Sequence, residues 1–264
     1  MATRGKILLQ SMRRVEFLPA PSPDLPDCFV SFVGPHVPTL VAIHGISRNA
    51  AELAARFAAH PAFDAVNIIA PLFERSLFGK YQLLLPRRAN KTPSSRALFD
   101  LLWHFEMRGD IGADKILLFG FSGGAQMGHR LAMLYPDRIA RLCAVAAGWY
   151  LLPDPDLPYP YGLGEGCPVP AIDDAFQVAM TVIVGKRDTR IDASVRQDLA
   201  IVSRQGSNRV QRAKAWVRLM NEQAQARGHA PNVKLVMLEN GSHDFGRCVR
   251  EAGLLDHAAD VLLS

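Results

Sequence analysis

Apolar residues along the chain fall into two alternating kinds of segment. Short continuous runs at Thr39 to Ile43, Val66 to Ala70, Lys115 to Phe119, Arg141 to Ala147, Ala179 to Val184 and Val233 to Leu238 have the length and β-branched content of strands buried on both faces. Pro71 predicts the end of the second of these runs. Two more β-like segments, Arg14 to Leu18 and Cys28 to Val33, open the chain on either side of a Pro-rich turn. Between the runs the period changes. Asn49 to His60 is alanine-rich and ends at Pro61, and Leu98, Leu101, Leu102 and Phe105 follow the i, i+3, i+4, i+7 rule of a helix. Thr92 suits the cap of that helix, Pro93 its first turn and Gly109 its stop. Ala125 to Tyr135 predicts a further helix halted by Pro136. Val210, Ala213, Val217, Met220 and Ala224 mark the buried stripe of another, and a last helix is expected from Arg247 to Leu263.

Strands that alternate with helices and are apolar on both faces predict an α/β fold, with a mostly parallel central sheet and helices on both faces. At 264 residues a single domain over 1–264 is expected. Two stretches break the alternation, Leu72 to Lys91 and the Pro-rich 151–178, and the second reads as a lid or an active-site wall inserted into the fold.

Charge and composition narrow the function. A net charge of +5 raises the question of nucleic acid, but the basic residues are scattered. The nearest cluster, Arg204, Arg209, Arg212, Lys214 and Arg218, has the spacing of a solvated helix face, so no nucleic-acid partner is expected. No apolar run is long enough to cross a bilayer, and Met1 to Gln10 lacks the apolar stretch of a secretory signal. Cys28, Cys143, Cys167 and Cys248 are too dispersed for a disulfide framework. The expectation is a reduced, cytoplasmic protein with no membrane partner.

The chemistry is concentrated at three turns. Gly120-Phe121-Ser122-Gly123-Gly124 joins a strand to a helix, which is the context of a nucleophile elbow, with a serine on a sharp turn between small neighbours. A serine hydroxyl needs a base, and the base needs an orienting group. Asp188 lies just past the carboxyl end of one strand, and His243 lies between the last strand and the last helix. Parallel strands deliver their carboxyl ends to one edge of a sheet, so Ser122, Asp188 and His243 are expected to meet there. Asp192, Asp173 and Asp174 are rivals for the acid, and His44, His129 and His257 for the base. The histidines show no metal-ligand spacing, and the glycine-rich segments lack the ending of a phosphate cradle. No metal and no cofactor is expected.

The order Ser, Asp, His, together with His44-Gly45, the G-x-S-x-G elbow, Gly185-x-x-Asp188 and Gly241-x-His243, resembles the α/β-hydrolase superfamily over nearly the whole length. Leu40 to Gly45 followed by Asn49, Phe119 to Met127, and Ala147-Gly148-Trp149-Tyr150 resemble esterases of the polyhydroxyalkanoate depolymerase and feruloyl esterase kind. The resemblance implies a serine esterase acting on a small-molecule carboxylic ester through an acyl-enzyme. Its oxyanion hole would be formed by the amides of Gly123 and Ile46, with His44 bracing the loop. Trp149, Tyr150 and Tyr81 would then form an apolar wall around a small to medium ester. Amide hydrolysis by the same residues and a non-catalytic binder of the same fold are the alternatives.

Overall fold

The strand-forming runs pair into one sheet whose order decides where the three turns meet. In a computed structural model, residues 13–86, 91–169 and 173–264 are described. Their eight strands are β1 (Glu16–Leu18), β2 (Asp27–Ser31), β3 (Thr39–Ile43), β4 (Asn67–Leu72), β5 (Ile116–Phe121), β6 (Ile139–Val145), β7 (Ala179–Gly185) and β8 (Val233–Leu238), in the order β1-β2-β4-β3-β5-β6-β7-β8. β2 is antiparallel to both of its neighbours, and every pairing from β4 to β8 is parallel. The helices are α1 (Ala50–Ala58), α2 (Ser94–Arg108), α3 (Gly123–Leu134), α4 (Leu199–Gln205), α5 (Arg209–Ala226), α6 (Phe245–Ala252) and α7 (Leu254–Leu262).

Successive side chains on a strand point to opposite faces, and each face has its own core. Val41, Ile43, Leu118, Leu142 and Ala144 pack with α2, α3 and α5, whereas Leu40, Ala42, Leu117, Phe119 and Cys143 pack with α1, α6 and α7. The inner strands such as β3 and β5 are therefore covered on both sides, which is why they read as unbroken apolar runs. The architecture expected from the alternation is the one found.

Local differences have identifiable causes. β4 continues through Pro71 to Leu72: its pairing with β3 ends at Ile69, so beyond that point only β2 lies beside it, with Pro71 opposite Cys28. A proline without an N–H is tolerated where one side of a strand is unpaired. α2 starts at Ser94 with Pro93, not Thr92, in the cap position. The last helix is two, because Gly253 takes a left-handed conformation between α6 and α7. α4 is an element that the periodicity does not predict. The basic residues of α5 do not all face solvent: Arg209 and Arg212 are 1% and 0% exposed.

The two irregular stretches pack on each other and on the core. Phe73, Phe78 and Tyr81 are buried, as are Leu151, Leu152 and Tyr159, and the Tyr159 hydroxyl donates to Leu83 O at 2.5 Å. Expectations for residues 1–12, 87–90 and 170–172, the amino-terminal segment among them, lie outside the described residues. Among the described residues no helix is long and apolar enough to cross a membrane.

Candidate active site

β5 and α3 meet at Ser122, whose backbone sits at φ 55° and ψ −108°. This left-handed geometry is costly for a residue with a side chain, by about 1–3 kcal/mol, and persists only where the surroundings hold it. The Ser122 N–H donates to Val145 O at 2.8 Å, and its carbonyl accepts from Gln126 N at 3.1 Å. A methyl group on Gly120 would overlap Gly124, and one on Gly124 would overlap Ile43 and lie 2.8 Å from His44 O. Hydrogen is all that fits at either position, so strand, turn and helix close on one another and present the serine hydroxyl at the sheet edge.

A second close approach brings the other two turns together. Gly185, at the end of β7, packs backbone to backbone on Gly241, after β8, and Arg187 N donates to Gly241 O at 3.1 Å. Asp188 and His243 follow on these two turns. His243 Nδ1 lies 2.9 Å from Asp188 Oδ2, and His243 Nε2 lies 3.0 Å from Ser122 Oγ. Asp188 is 2% exposed, while the imidazole is partly open to solvent and lies 5.4 Å from the Phe121 ring. Three residues spread over 122 positions of chain thus form one hydrogen-bonded row.

The rivals stand elsewhere. Asp192 accepts from the Ser194 hydroxyl and amide, which hold its carboxyl below the ordinary carboxylate range, and Asp174 accepts from Gln177. The side chain of Asp173 lies outside the described residues. His44 is fully buried, and burial pushes it down to about 4. Its Nε2 accepts from Phe73 N at 3.0 Å, so the proton is on Nδ1, which donates to Gly45 O at 2.7 Å. A neutral imidazole with both nitrogens engaged is a brace for the β3–α1 loop. His129, held well below its ordinary value by burial, likewise accepts from Leu151 N and donates to Ala125 O. His257 sits half-buried in α7.

The amides of Gly123 and Ile46 border one small space beside the serine. A methyl on Gly123 would lie 3.5 Å from the Ile46 nitrogen and 2.7 Å from the Tyr81 hydroxyl oxygen. Gly123 opens α3, where an N–H has no partner within its own helix, and the Ile46 amide has no backbone acceptor among the described residues. The two backbone nitrogens expected to act as donors thus lie near one another at the turn that carries Ser122.

The three aromatic residues expected to form a wall are buried. The cleft over the row, about 290 Å³, is lined by Ile46, Glu52, Phe121, Ser194, Asp244 and Phe245 among others, and Trp149, Tyr150 and Tyr81 are not part of it. Trp149 is 3% exposed, between the guanidinium groups of Arg130 at 4.5 Å and Arg196 at 5.5 Å. Tyr150 is fully buried and stacks on Trp216 at 4.8 Å. Tyr81 stacks on Phe73, and its hydroxyl donates to His44 O at 2.6 Å. Apolar surface and a strand end suggested a pocket; the same apolar surface instead fills the core under the loops. A larger open groove of about 1050 Å³ along α2, past Trp103 and His104, shares no residue with the row.

Sequence reasoning missed Ser194 in the cleft and Arg209 behind it. Arg209 had one available signal: it is a basic residue directly after the helix-capping Asn208, at the end where the helix dipole disfavours a cation. Among the described residues no group of three His, Cys, Asp or Glu side chains is arranged to hold a metal ion.

No protein-family model and no curated protein matches the chain. Solved structures do. Poly(aspartic acid) hydrolase-1 from Sphingomonas sp. KT-1 superposes with a TM-score of 0.75 at 20% identity, covering 90% of this chain and 94% of that one. LpqC, a poly(3-hydroxybutyrate) depolymerase from Bordetella parapertussis, gives 0.71 at 20% identity over 93% and 94%, and S-formylglutathione hydrolase from Staphylococcus aureus gives 0.61 at 13% over 95% and 99%. At these identities the likeness is one of architecture. The chain has the α/β-hydrolase fold.

Proposed function

We propose that this protein is a serine hydrolase that cleaves carboxylic esters through an acyl-enzyme. The observation that carries this reading is the row Ser122 Oγ, His243 and Asp188, with spacings of 3.0 and 2.9 Å. Those are the distances at which an imidazole takes a proton from a hydroxyl and is held in one tautomer by a carboxylate. In the proposed reaction Ser122 Oγ attacks the ester carbonyl as His243 Nε2 takes its proton. Negative charge collects on the carbonyl oxygen, where the Gly123 and Ile46 amides stabilise it. His243 then returns the proton to the departing alcohol. Water repeats the sequence on the acyl-enzyme and releases the acid.

The substrate in this reading is a small to medium ester, a size that suits the cleft. Ile46, Phe121 and Phe245 offer apolar contact, while Glu52 and Asp244 can accept hydrogen bonds from a polar part of it. A poly(3-hydroxybutyrate) depolymerase and an S-formylglutathione hydrolase share this fold, so assays with esters of graded chain length set the size of the natural ester. In the same proposal the chain is a single domain, and 151–169 form a packed wall within it.

The test is covalent. A fluorophosphonate probe should label the wild type, and Ser122→Ala should abolish both labelling and turnover of p-nitrophenyl acetate, with a loss of about a millionfold if the row acts as a unit. An unlabelled, inactive wild type would leave a binder of the same fold as the better account.

A further inference from the structure

Behind the proposed catalytic row, Asp188 has a second partner. Its Oδ2 faces His243, and its Oδ1 accepts from Arg209 Nη1 at 3.0 Å, in an ion pair whose side chains are 2% and 1% exposed. The other arm of the guanidinium, Nη2, donates to Ser194 Oγ at 2.7 Å, and Ser194 in turn donates to Asp192. Ser194 lines the cleft. One planar cation therefore links the buried end of the row to the loop that forms the cleft wall.

Stability alone is a poor reason for this arrangement. A buried ion pair roughly breaks even against an apolar pair of the same volume, because both charges give up their hydration. Arg209 also opens α5, where the helix dipole disfavours positive charge. What the pair does supply is geometry and field: a fork holds one carboxylate oxygen in place, and a fixed positive charge offsets part of the negative charge that His243 experiences.

We propose that Arg209 is a positioning residue of the hydrolase site: it fixes the Asp188 carboxylate toward His243, limits how readily the imidazole is protonated, and anchors the 188–195 loop through Ser194. The inference rests on the function proposed above. The other ionisable groups facing the row leave this role to Arg209. Tyr150 and Cys248, which both interact with Asp188, are pushed up by burial and stay neutral, and Asp192 stays charged at the loop surface. Asp244, next to His243, is occupied in capping α6 by accepting from Arg247 N. Arg212, beside Arg209, has its donors on the carbonyls of Gly148, Arg196 and Gly206 and not on Asp188.

The test uses the rate of labelling by the fluorophosphonate probe as a function of pH, which reads the serine and its base without a known substrate. In Arg209→Met the uncompensated carboxylate favours the protonated imidazole, so the acid limb of the rate profile should move to higher pH by about one unit, and the maximal rate should fall by about tenfold or more. Arg209→Lys keeps the charge but loses the fork. Its limb should stay at the wild-type position while its maximal rate falls. A residue that only supports the fold would lower thermal stability in both variants and move neither limb. An unmoved limb in the Met variant, or a limb displaced in the Lys variant, would overturn the role; the Lys variant keeps the question decidable if the Met variant does not fold. Failure of the wild type to label would count against the hydrolase reading and not against Arg209.

Discussion

The close backbone approach between the two turns that carry Asp188 and His243 makes Gly185→Ala an informative perturbation. The new methyl would lie 2.8 Å from Gly241 Cα and inside the surface of the Gly241 carbonyl, where ordinary contact begins near 3.4 Å. Both neighbours are backbone, so no side chain can swing away. The turns carrying Asp188 and His243 must separate by about 1 Å, and the 3.1 Å bond from Arg187 N to Gly241 O is the first to be lost. A displacement of that size lengthens a 2.9 Å contact beyond hydrogen-bond reach, and misplacement of a reacting group by about 1 Å costs on the order of a hundredfold in rate. Overpacking should also remove about 1–3 kcal/mol of stability. The assay is kcat for p-nitrophenyl acetate beside a urea melt, at a temperature where the variant is fully folded. A folded Gly185→Ala protein with kcat within threefold of wild type would refute the claim that this glycine pair sets a functionally important distance between His243 and Asp188.

Other expectations follow from buried groups. His44 is neutral when folded, with burial holding it at about 4 against about 6.5 in an unfolded chain, so its contribution is complete above pH 6.5 and is lost as pH falls toward 4, to a total of about 3 kcal/mol. His129 acts in the same direction. Urea melts should show stability falling across that window, with a shallower fall in His44→Gln; equal slopes would contradict the assignment. Trp149→Ala empties a site between two guanidinium groups and should cost about 3–5 kcal/mol while leaving KM for p-nitrophenyl acetate nearly unchanged. A tenfold rise in KM without a loss of stability would return Trp149 to the substrate wall.

Much of the fold was legible because its signals are local. The runs Thr39 to Ile43 and Val233 to Leu238 coincide with strands residue for residue; in the first, a strand buried on both faces leaves no polar position to blur its ends. Boundaries failed where a neighbour mattered. Pro71 stays inside a strand because of which edge is unpaired, and Gly253 divides a helix that periodicity alone would continue. The burial of Trp149 and Tyr150 was not legible for a related reason: sequence marks a side chain as apolar but not whether the space in front of it is a cleft or the protein's own core.

Most of the elements, their alternation and the order of the turns that carry Ser122, Asp188 and His243 were determined by sequence alone, because hydrophobic period, breaker residues and sharp turns act over a few positions. The tertiary structure decided the rest: that imidazole and hydroxyl stand 3.0 Å apart, and that Arg209, which shares a helix with solvated cations, is buried against Asp188. Such distances depend on how strands far apart in the chain are registered and on which backbones can touch. Only the packed molecule sums those constraints.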